Sequence, residues 1–268
     1  MTPDPRYEEP FAWWGPGWQA PAPRDIVGLL RDETIDAWTA ANLWAALARR
    51  QSLTVVAGES GVGKTTLLTA LLDFLPPGTR RVYLRGCFES FAFLSDPSIA
   101  PSQTALLINE ISPHLPVYLW GPAVIRILGA AQRGFTLLAT AHADSVHEFV
   151  GALTGSPLRI PVGGVAAFEH VIVMERDQAN ASGRRVRGVW RLAPTRDGVA
   201  IAKLQALPLV LHNMPRSSTS DADNLEAWFS IEELAGRQSL LEALRDRRID
   251  QLSVAGLFTD TNGGDLDP

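Results

Sequence analysis

The chain has 268 residues, of which 46% are hydrophobic and 20% charged, with one cysteine and a formal net charge of −5 at pH 7. This composition is typical of a soluble globular protein, excludes an intramolecular disulfide framework, and argues against a generally basic nucleic-acid-binding protein. The sequence contains neither the roughly 18 uninterrupted apolar residues of a membrane span nor an opening apolar core like that of a signal peptide. We therefore expect a cytoplasmic protein, whose association with the inner face of a membrane, where it occurs, is through partners.

Residues 1–50 fall into two parts. Residues 1–24 contain six prolines and three tryptophans, and this many prolines excludes regular helix or central strand. We expect an extended arm whose aromatic side chains dock on this domain or on a neighbouring subunit, with a disordered leader as the alternative. From residue 25 to residue 50 the apolar residues recur at helical spacing. This predicts two short helices that pack as core, with Asp32 or Thr34 available as caps.

Gly58–Thr65 has the sequence GESGVGKT, which fits the phosphate-binding pattern G-x-x-x-x-G-K-[ST]. A buried strand is predicted before it at 53–57 and a helix after it at 66–72, which is the context that this motif needs; the alternative is an ordinary glycine-rich turn. The glycines allow the backbone to turn its N–H groups toward phosphate. We expect Lys64 to bind the β- and γ-phosphates and the Thr65 hydroxyl to ligate Mg²⁺. The expected nucleotide-binding residues are Gly58, Glu59, Ser60, Gly61, Val62, Gly63, Lys64, Thr65 and Thr66.

A second motif follows a predicted strand at 81–84 and an irregular segment that ends near residue 102. The run TALLINE at 104–110 is four or five apolar residues ending in an acidic one, which is typical of a Walker B strand. Such a strand delivers its carboxylate beside the phosphate loop. We expect Glu110 to orient water for hydrolysis or to contact Mg²⁺.

A third motif lies beyond a helix predicted at 118–132. The strand predicted at 135–140 places His142 at the carboxyl edge of the sheet, where open α/β sheets bind their ligands. We interpret His142 as a γ-phosphate sensor. The alternative is a loop residue that caps the next helix, at 146–154, although Asp144 or Ser145 is also available as that cap.

The remaining pattern predicts a strand at 170–174 and a hairpin of 184–192 with 198–204. The fold is thus an α/β, RecA-like P-loop NTPase with a mainly parallel sheet flanked by helices and an antiparallel edge hairpin. Four arginines of the hairpin are predicted to alternate along one strand face, as a solvated edge that blocks aggregation or, alternatively, as a surface for phosphate or an acidic partner. These are Arg184, Arg185, Arg187 and Arg191.

We divide the chain into three parts. Residues 1–24 are the proline- and tryptophan-rich arm, and residues 25–210 are the P-loop ATPase domain with its helical lead-in. Residues 211–268 are a polar linker, C-terminal helices that include an amphipathic helix at 225–249, and an acidic tail.

Together and in this order, these motifs resemble the secretion ATPase superfamily, the hexameric motors of type II and type IV secretion and of type IV pili, and particularly its VirB11-like and CpaF-like branch. The family's phosphate loop is matched by Gly58–Leu68 and its Walker B segment by Ile108–Ser112. Its histidine box is matched by Gly134–Ser145, with His142 as the histidine, and its late Arg-Arg-Val strand by Arg184–Val186. The histidine box at this spacing is the most specific of the four.

The resemblance, which covers residues 25–204, breaks at several positions. Arg85 replaces the leading acidic pair of the family's Asp box, of which only Glu89 fits. Ser112 stands where the Walker B arginine is usual, and Phe135 replaces the first histidine of the histidine box. Since only residues 1–52 precede the first predicted core strand, we expect the family's separate N-terminal domain to be lacking.

The resemblance implies an ATP- and Mg²⁺-dependent homo-oligomer, a hexameric ring that acts on a membrane-embedded secretion or pilus platform protein. Lys64, Glu110 and His142 are the implied catalytic residues, with Thr65 and Glu110 at the metal. Nucleotide binding is better supported than fast hydrolysis. The loss of an acidic residue that positions the reacting groups slows hydrolysis without changing the affinity for nucleotide. Arg85 is alternatively an arginine finger toward a neighbouring subunit.

Two further classes of function stay open. The first is a nucleotide-binding regulatory subunit with little hydrolysis of its own, which the altered Asp box favours. The second is a P-loop small-molecule kinase, which the absence of an obvious arginine-rich lid disfavours. A DNA-translocating ATPase gains no support from the net charge of −5, and the lack of an N-K-x-D motif argues mildly against a GTPase.

Overall fold

The computed structural model describes residues 24–180, 182–196, 198–204 and 231–246. Within these residues one sheet contains seven strands: β1 (Leu53–Val56), β2 (Arg80–Leu84), β3 (Thr104–Ile111), β4 (Thr136–Ala141), β5 (His170–Arg176), β6 (Arg184–Thr195) and β7 (Gly198–Lys203). The helices are α1 (Ile26–Arg31), α2 (Ala37–Ala48), α3 (Lys64–Leu71), α4 (Pro122–Gln132), α5 (Val146–Thr154), α6 (Val162–Val165) and α7 (Ile231–Arg245). Short 3₁₀ turns occupy much of the segment between β2 and β3.

The strands are arranged in the order β2-β3-β4-β1-β5-β6-β7. The first five are parallel, and β6 and β7 form an antiparallel hairpin that continues the sheet from β5. This confirms the predicted α/β fold with a mainly parallel sheet and an antiparallel edge. Because β1, β4 and β3 are neighbours, their carboxyl ends meet at one edge, and this edge carries the candidate site.

Helices cover both faces of the sheet, which explains the nearly continuous apolar sequence of its central strands. All residues of β1 and β4 are buried. One hydrophobic cluster joins one face of the strands to α1, α2, α3 and α7, and a second joins the other face to α4 and α5. Successive strand residues serve opposite clusters: Leu106 and Ile108 belong to the second, Ala105 and Leu107 to the first.

The helical lead-in packs as core, as predicted, and of the two predicted cap residues Asp32 caps a helix and Thr34 does not. Asp25 and Asp36 are the N-caps of α1 and α2, since each accepts a hydrogen bond from a backbone N–H in the first turn. Asp32 is the C-cap of α1, whereas the Thr34 hydroxyl lies 2.9 Å from that of Ser182. The sequence offered several aspartates near these helix starts, and only the backbone path decides which one caps.

Helix α7 packs on the lead-in helices. Its Leu241 and Leu244 are buried in the first cluster. The guanidinium of Arg237 lies 5.1 Å from the ring centroid of Trp44, and Arg31 donates to the Leu244 carbonyl at 3.0 Å. This helix lies within the one predicted at 225–249, whose ends are outside the described residues, as are residues 1–23 of the predicted arm, the predicted polar linker and the predicted acidic tail. No helix that the structure describes is long and apolar enough to cross a membrane.

Helix α4 begins later than predicted. It starts at Pro122, after Gly121 at a φ of 66°, because proline suits the first helical position. The residues before it run beside β3 instead, with the Leu119 N–H donating to the Glu110 carbonyl at 3.0 Å. This short stretch covers the end of the strand that carries Glu110.

The four hairpin arginines were predicted to share one face of the strand, and in the structure they do not. Arg185 and Arg187 are exposed and pair with Glu175. Arg184 is half-buried and lies opposite Arg176 of β5. A bulge between the Val173–Gly188 and Met174–Val186 pairs shifts the alternation along β6. Arg184 and Arg191 therefore lie on one face, opposite Arg176 and His170, and Arg185 lies on the other, opposite Glu175.

Candidate functional site

The phosphate-loop sequence lies between the end of β1 and the start of α3. Gly61 and Gly63 have φ values of 75° and 98°, in the region that favours glycine. Val62 is 1% exposed and anchors the loop in the core, while Glu59, Ser60 and Gly61 are exposed. Gly63 is the N-cap of α3 and brings no capping side chain, so the first N–H groups of this helix face the loop and can bind an anion.

Gly58 lies in close contact with a side chain of the turn that follows β4. A β-carbon built on it would lie 1.7 Å from Oδ1 of Asp144, which is far inside any permitted contact. Asp144 belongs to the turn between β4 and α5, and its backbone carbonyl accepts a hydrogen bond from Arg187 at 3.3 Å. The helix cap that follows is Ser145, which accepts from the Glu148 N–H; of the two predicted candidates, this residue caps α5.

Lys64 and Glu110 form an ion pair at the floor of the site. Lys64 Nζ lies 3.3 Å from Glu110 Oε1, and the two side chains are only 10% and 11% exposed. Thr140 Oγ1 of β4, the strand between them in the sheet, donates to Glu110 Oε2 at 2.8 Å. Two contacts therefore hold the Glu110 carboxylate, which was predicted to orient water. Thr140 is a further candidate for the site, and no sequence pattern pointed to it.

His142 follows β4 directly and faces a second histidine. The ring centroids of His142 and His114 are 4.1 Å apart in an edge-to-face arrangement. Partial burial lowers the pKa of His142, with further lowering by the charges of His114 and Lys64, while Glu110 and Asp144 oppose it. His142 is therefore neutral at pH 7 and able to act as a hydrogen-bond donor or acceptor.

His114 is positioned by Ser112, the residue that stands where the resembled family has an arginine. The Ser112 hydroxyl lies 2.6 Å from Nδ1 of His114 and accepts from its backbone N–H at 3.1 Å. Ser112 is buried and His114 exposed, so the serine is fixed and holds an accessible ring beside His142. The sequence signal was the short spacing of Ser112 and His114 after the acidic strand.

Thr65 and Thr66 lie in the first turn of α3 and are half-buried. Thr65 follows Lys64 directly, so its backbone is at the helix end that faces the loop. The described residues contain no cluster of three or more His, Cys, Asp and Glu side chains that could hold a metal by themselves. A Mg²⁺ ion at Thr65 and Glu110 would accordingly take its remaining ligands from phosphate and water, as Mg²⁺ commonly does.

The region of the altered Asp box is engaged in its own local structure. The Glu89 carboxylate accepts from the backbone N–H groups of Arg85 at 3.1 Å and Phe91 at 2.9 Å. Arg85 Nε lies 3.7 Å from the same carboxylate, whose side chain is fully buried. The one acidic residue that fits the Asp box thus stabilises a turn.

The structure brings together Lys64, Glu110 and His142, the three predicted catalytic residues, at one edge of the sheet. It adds Thr140 and His114, which the sequence analysis missed because their proximity depends on strand register and on the loop after β3.

The comparisons with known proteins leave the family undecided. No protein-family model and no curated protein matches the chain. Among solved structures, it is similar to the VirB11 ATPase of the Brucella suis type IV secretion system in complex with sulphate, at 19% sequence identity and a TM-score of 0.40. The match covers 56% of this chain and 50% of that one, so the chain spans about half the length of that ATPase. A likeness of this degree says nothing about activity.

Proposed function

We propose that the protein binds Mg²⁺-ATP and hydrolyses it. The observation that carries this proposal is the Lys64–Glu110 pair, 3.3 Å apart and nearly buried, at the end of a glycine loop. A cation for phosphate and a carboxylate for water at one strand edge are the two charges that phosphoryl transfer to water requires. A structural ion pair alone would not need the positive-φ loop beside it.

The residues present fit ATP and Mg²⁺. The loop glycines and the uncapped start of α3 offer backbone N–H groups to the phosphates, and Lys64 adds a charge. Thr65 and Glu110 are the proposed metal ligands. Bound Mg²⁺ supplies neutralisation of phosphate charge.

The proposed division of labour follows from the contacts. Glu110 orients the attacking water, with its own position fixed by Thr140. His142, neutral at pH 7, senses the γ-phosphate by hydrogen bonding. Lys64 exchanges its partner, from the carboxylate to phosphate oxygen, when nucleotide binds.

At a finer level, we propose a subunit of a secretion or pilus-type machine, active as an oligomeric, ring-shaped motor on a membrane-embedded platform protein. This is supported by the order of the phosphate loop, the acidic strand, the histidine box and the late arginine strand. A regulatory subunit with slow hydrolysis is the second candidate. The observation that favours it is the engagement of Glu89 in a local turn, beside the arginine that replaces the family's acidic pair.

The test compares the wild type with Glu110→Gln and Lys64→Ala in Mg²⁺-dependent ATP hydrolysis and in equilibrium binding of a fluorescent ATP analogue. We expect Glu110→Gln to bind nucleotide and lose hydrolysis by about 100-fold or more, and Lys64→Ala to lose binding. Glu175→Gln, a carboxylate on the same sheet that pairs with Arg185, is the matched control.

Light scattering after size exclusion, with and without ATP, tests the ring. Hydrolysis by a ring-sized assembly supports the motor, whereas tight binding without turnover in the wild type supports the regulatory subunit. A wild type that binds no nucleotide contradicts both.

A further inference from the structure

The turn between β5 and β6 lies beside the phosphate loop for topological reasons. β5 is parallel to β1 and adjacent to it, so both strands end at the same edge of the sheet. β6 is antiparallel to β5 and therefore begins at that edge, with Arg184 opposite Arg176. Two arginines are thus placed at the outer side of the loop.

Arg176 is bound to the outer part of the phosphate loop. Its Nε donates to the Glu59 carboxylate, and its Nη2 donates to the Ser60 carbonyl at 3.3 Å. These two contacts connect the end of β5 to the exposed side of the loop. Arg176 thus has protein partners and supports the loop conformation.

The Arg184 side chain lies against Gly63, the last residue of the loop before Lys64. A β-carbon built on Gly63 would lie 2.7 Å from Nη1 and 3.1 Å from Cδ of Arg184. The arginine side chain therefore occupies the space that any other residue at position 63 would need. Gly63 immediately precedes Lys64, so the guanidinium lies against the backbone that leads into the lysine.

The next two arginines on the strand, Arg185 and Arg187, lie near carboxylates, unlike Arg184. Arg185 lies 2.9 Å from Glu175 and 3.2 Å from Asp177, and Arg187 lies 3.9 Å from Glu175. Within the described part of the chain, the Arg184 guanidinium forms no ion pair. A cation without a carboxylate, held against a phosphate-binding loop, is arranged for an anion that arrives from outside.

We propose that Arg184 binds the β-phosphate of the nucleotide in the same subunit, opposite Lys64, and so sets the affinity for di- and triphosphates. This inference rests on the proposed function. The planar guanidinium can donate two parallel hydrogen bonds to phosphate oxygens, which lysine cannot do. The hairpin of the sheet edge is then part of the nucleotide site as well as its boundary.

The experiment measures equilibrium binding of ATP, ADP and AMP to the wild type, Arg184→Gln, Arg184→Lys and the control Arg185→Gln, all at one fixed salt concentration. We expect Arg184→Gln to raise the Kd for ATP and ADP by about 10- to 100-fold, the range for a hydrogen bond to a charged group. Arg184→Lys should fall between it and the wild type, and Arg185→Gln should stay within about twofold.

The AMP measurement separates a phosphate contact from a general loss of structure. Since AMP has no β-phosphate, its affinity should change by less than about threefold in Arg184→Gln, whereas a damaged fold would weaken all three nucleotides. Circular dichroism and thermal melting of each variant check the fold, and the lysine variant keeps the test usable where the glutamine variant unfolds.

The two levels of the proposal fail in different ways. A wild type that binds neither ATP nor ADP contradicts the proposed function. If the wild type binds both nucleotides and Arg184→Gln and Arg184→Lys bind them as tightly as the wild type does, the role of Arg184 is overturned and the proposed function is not. Equal losses in the Arg184 and Arg185 variants also overturn it, because they indicate a diffuse charge effect.

Discussion

The nucleotide-free protein should show strong energetic coupling between Lys64 and Glu110. The two charges are 3.3 Å apart and about nine-tenths buried, and at an effective dielectric constant of about 20 Coulomb's law gives about 5 kcal/mol of attraction. In Glu110→Gln the side-chain oxygen still accepts from Thr140, so charge changes with little change in shape. The buried ammonium loses its partner, and part of the lost attraction is offset because the neutral amide costs less to bury. We expect the free energy of unfolding to fall by about 3 kcal/mol.

A double-mutant cycle measured by urea unfolding, without nucleotide or Mg²⁺, checks this expectation. The variants are Lys64→Met, Glu110→Gln and both together; the double variant should recover at least about 2 kcal/mol of the summed losses, because it leaves no buried charge unpaired. Saturating ATP should stabilise Glu110→Gln more than the wild type, since phosphate replaces the missing carboxylate. Losses that add within about 0.5 kcal/mol would refute the reasoning.

Two further predictions concern stability. Burial, with the Arg191 charge, lowers the pKa of His170 to about 3. Between pH 6.5 and 3 the unfolded state therefore binds a proton that the folded state does not, and the free energy of unfolding decreases as the pH is lowered. The loss of unfolding free energy between pH 7.5 and pH 5 should be smaller by about 2 kcal/mol in His170→Gln than in the wild type. Gly86 has a φ of 57° and a β-carbon there would lie 2.0 Å from the Val117 carbonyl oxygen, so Gly86→Ala should cost at least about 2 kcal/mol in denaturant unfolding. The control Gly78→Ala, at a φ of 72° with open space around it, should cost only about 1 kcal/mol; similar costs at the two positions, or an unchanged acid response in His170→Gln, would contradict these accounts.

The fold was predictable where one local pattern determined one element. Buried parallel strands appear as short apolar runs, and β1, β3 and β4 were all predicted within a residue or two. The start of α4 was missed because the apolar residues before Pro122 have helical spacing but pair with the end of β3, through the bridge between Leu119 and Ile111. Tertiary pairing overrode a local preference there.

The candidate site was predictable as far as it is contiguous in sequence. The phosphate loop is one continuous segment, and Glu110 and His142 were found because each directly ends or follows an apolar strand. Thr140 and Arg184 required the sheet order: Thr140 faces Glu110 only because β4 lies beside β3, and Arg184 reaches the loop only because β6 returns beside β5. Strand order depends on long-range packing, which periodicity does not encode.

Under the proposed function, the distribution of charge favours tight nucleotide binding over fast hydrolysis. Glu89 lies beyond β2, the strand three positions from β1 in the sheet, so about 14 Å of sheet separates their ends. Its carboxylate is also committed to the turn around Arg85, so of the two carboxylates only Glu110 lies beside Lys64. Lys64 and, by our inference, Arg184 oppose it as cations for phosphate. Cations that bind ground state and transition state alike raise affinity without raising the rate, so we expect hydrolysis to be slow until a neighbouring subunit or partner adds a group that acts in the transition state.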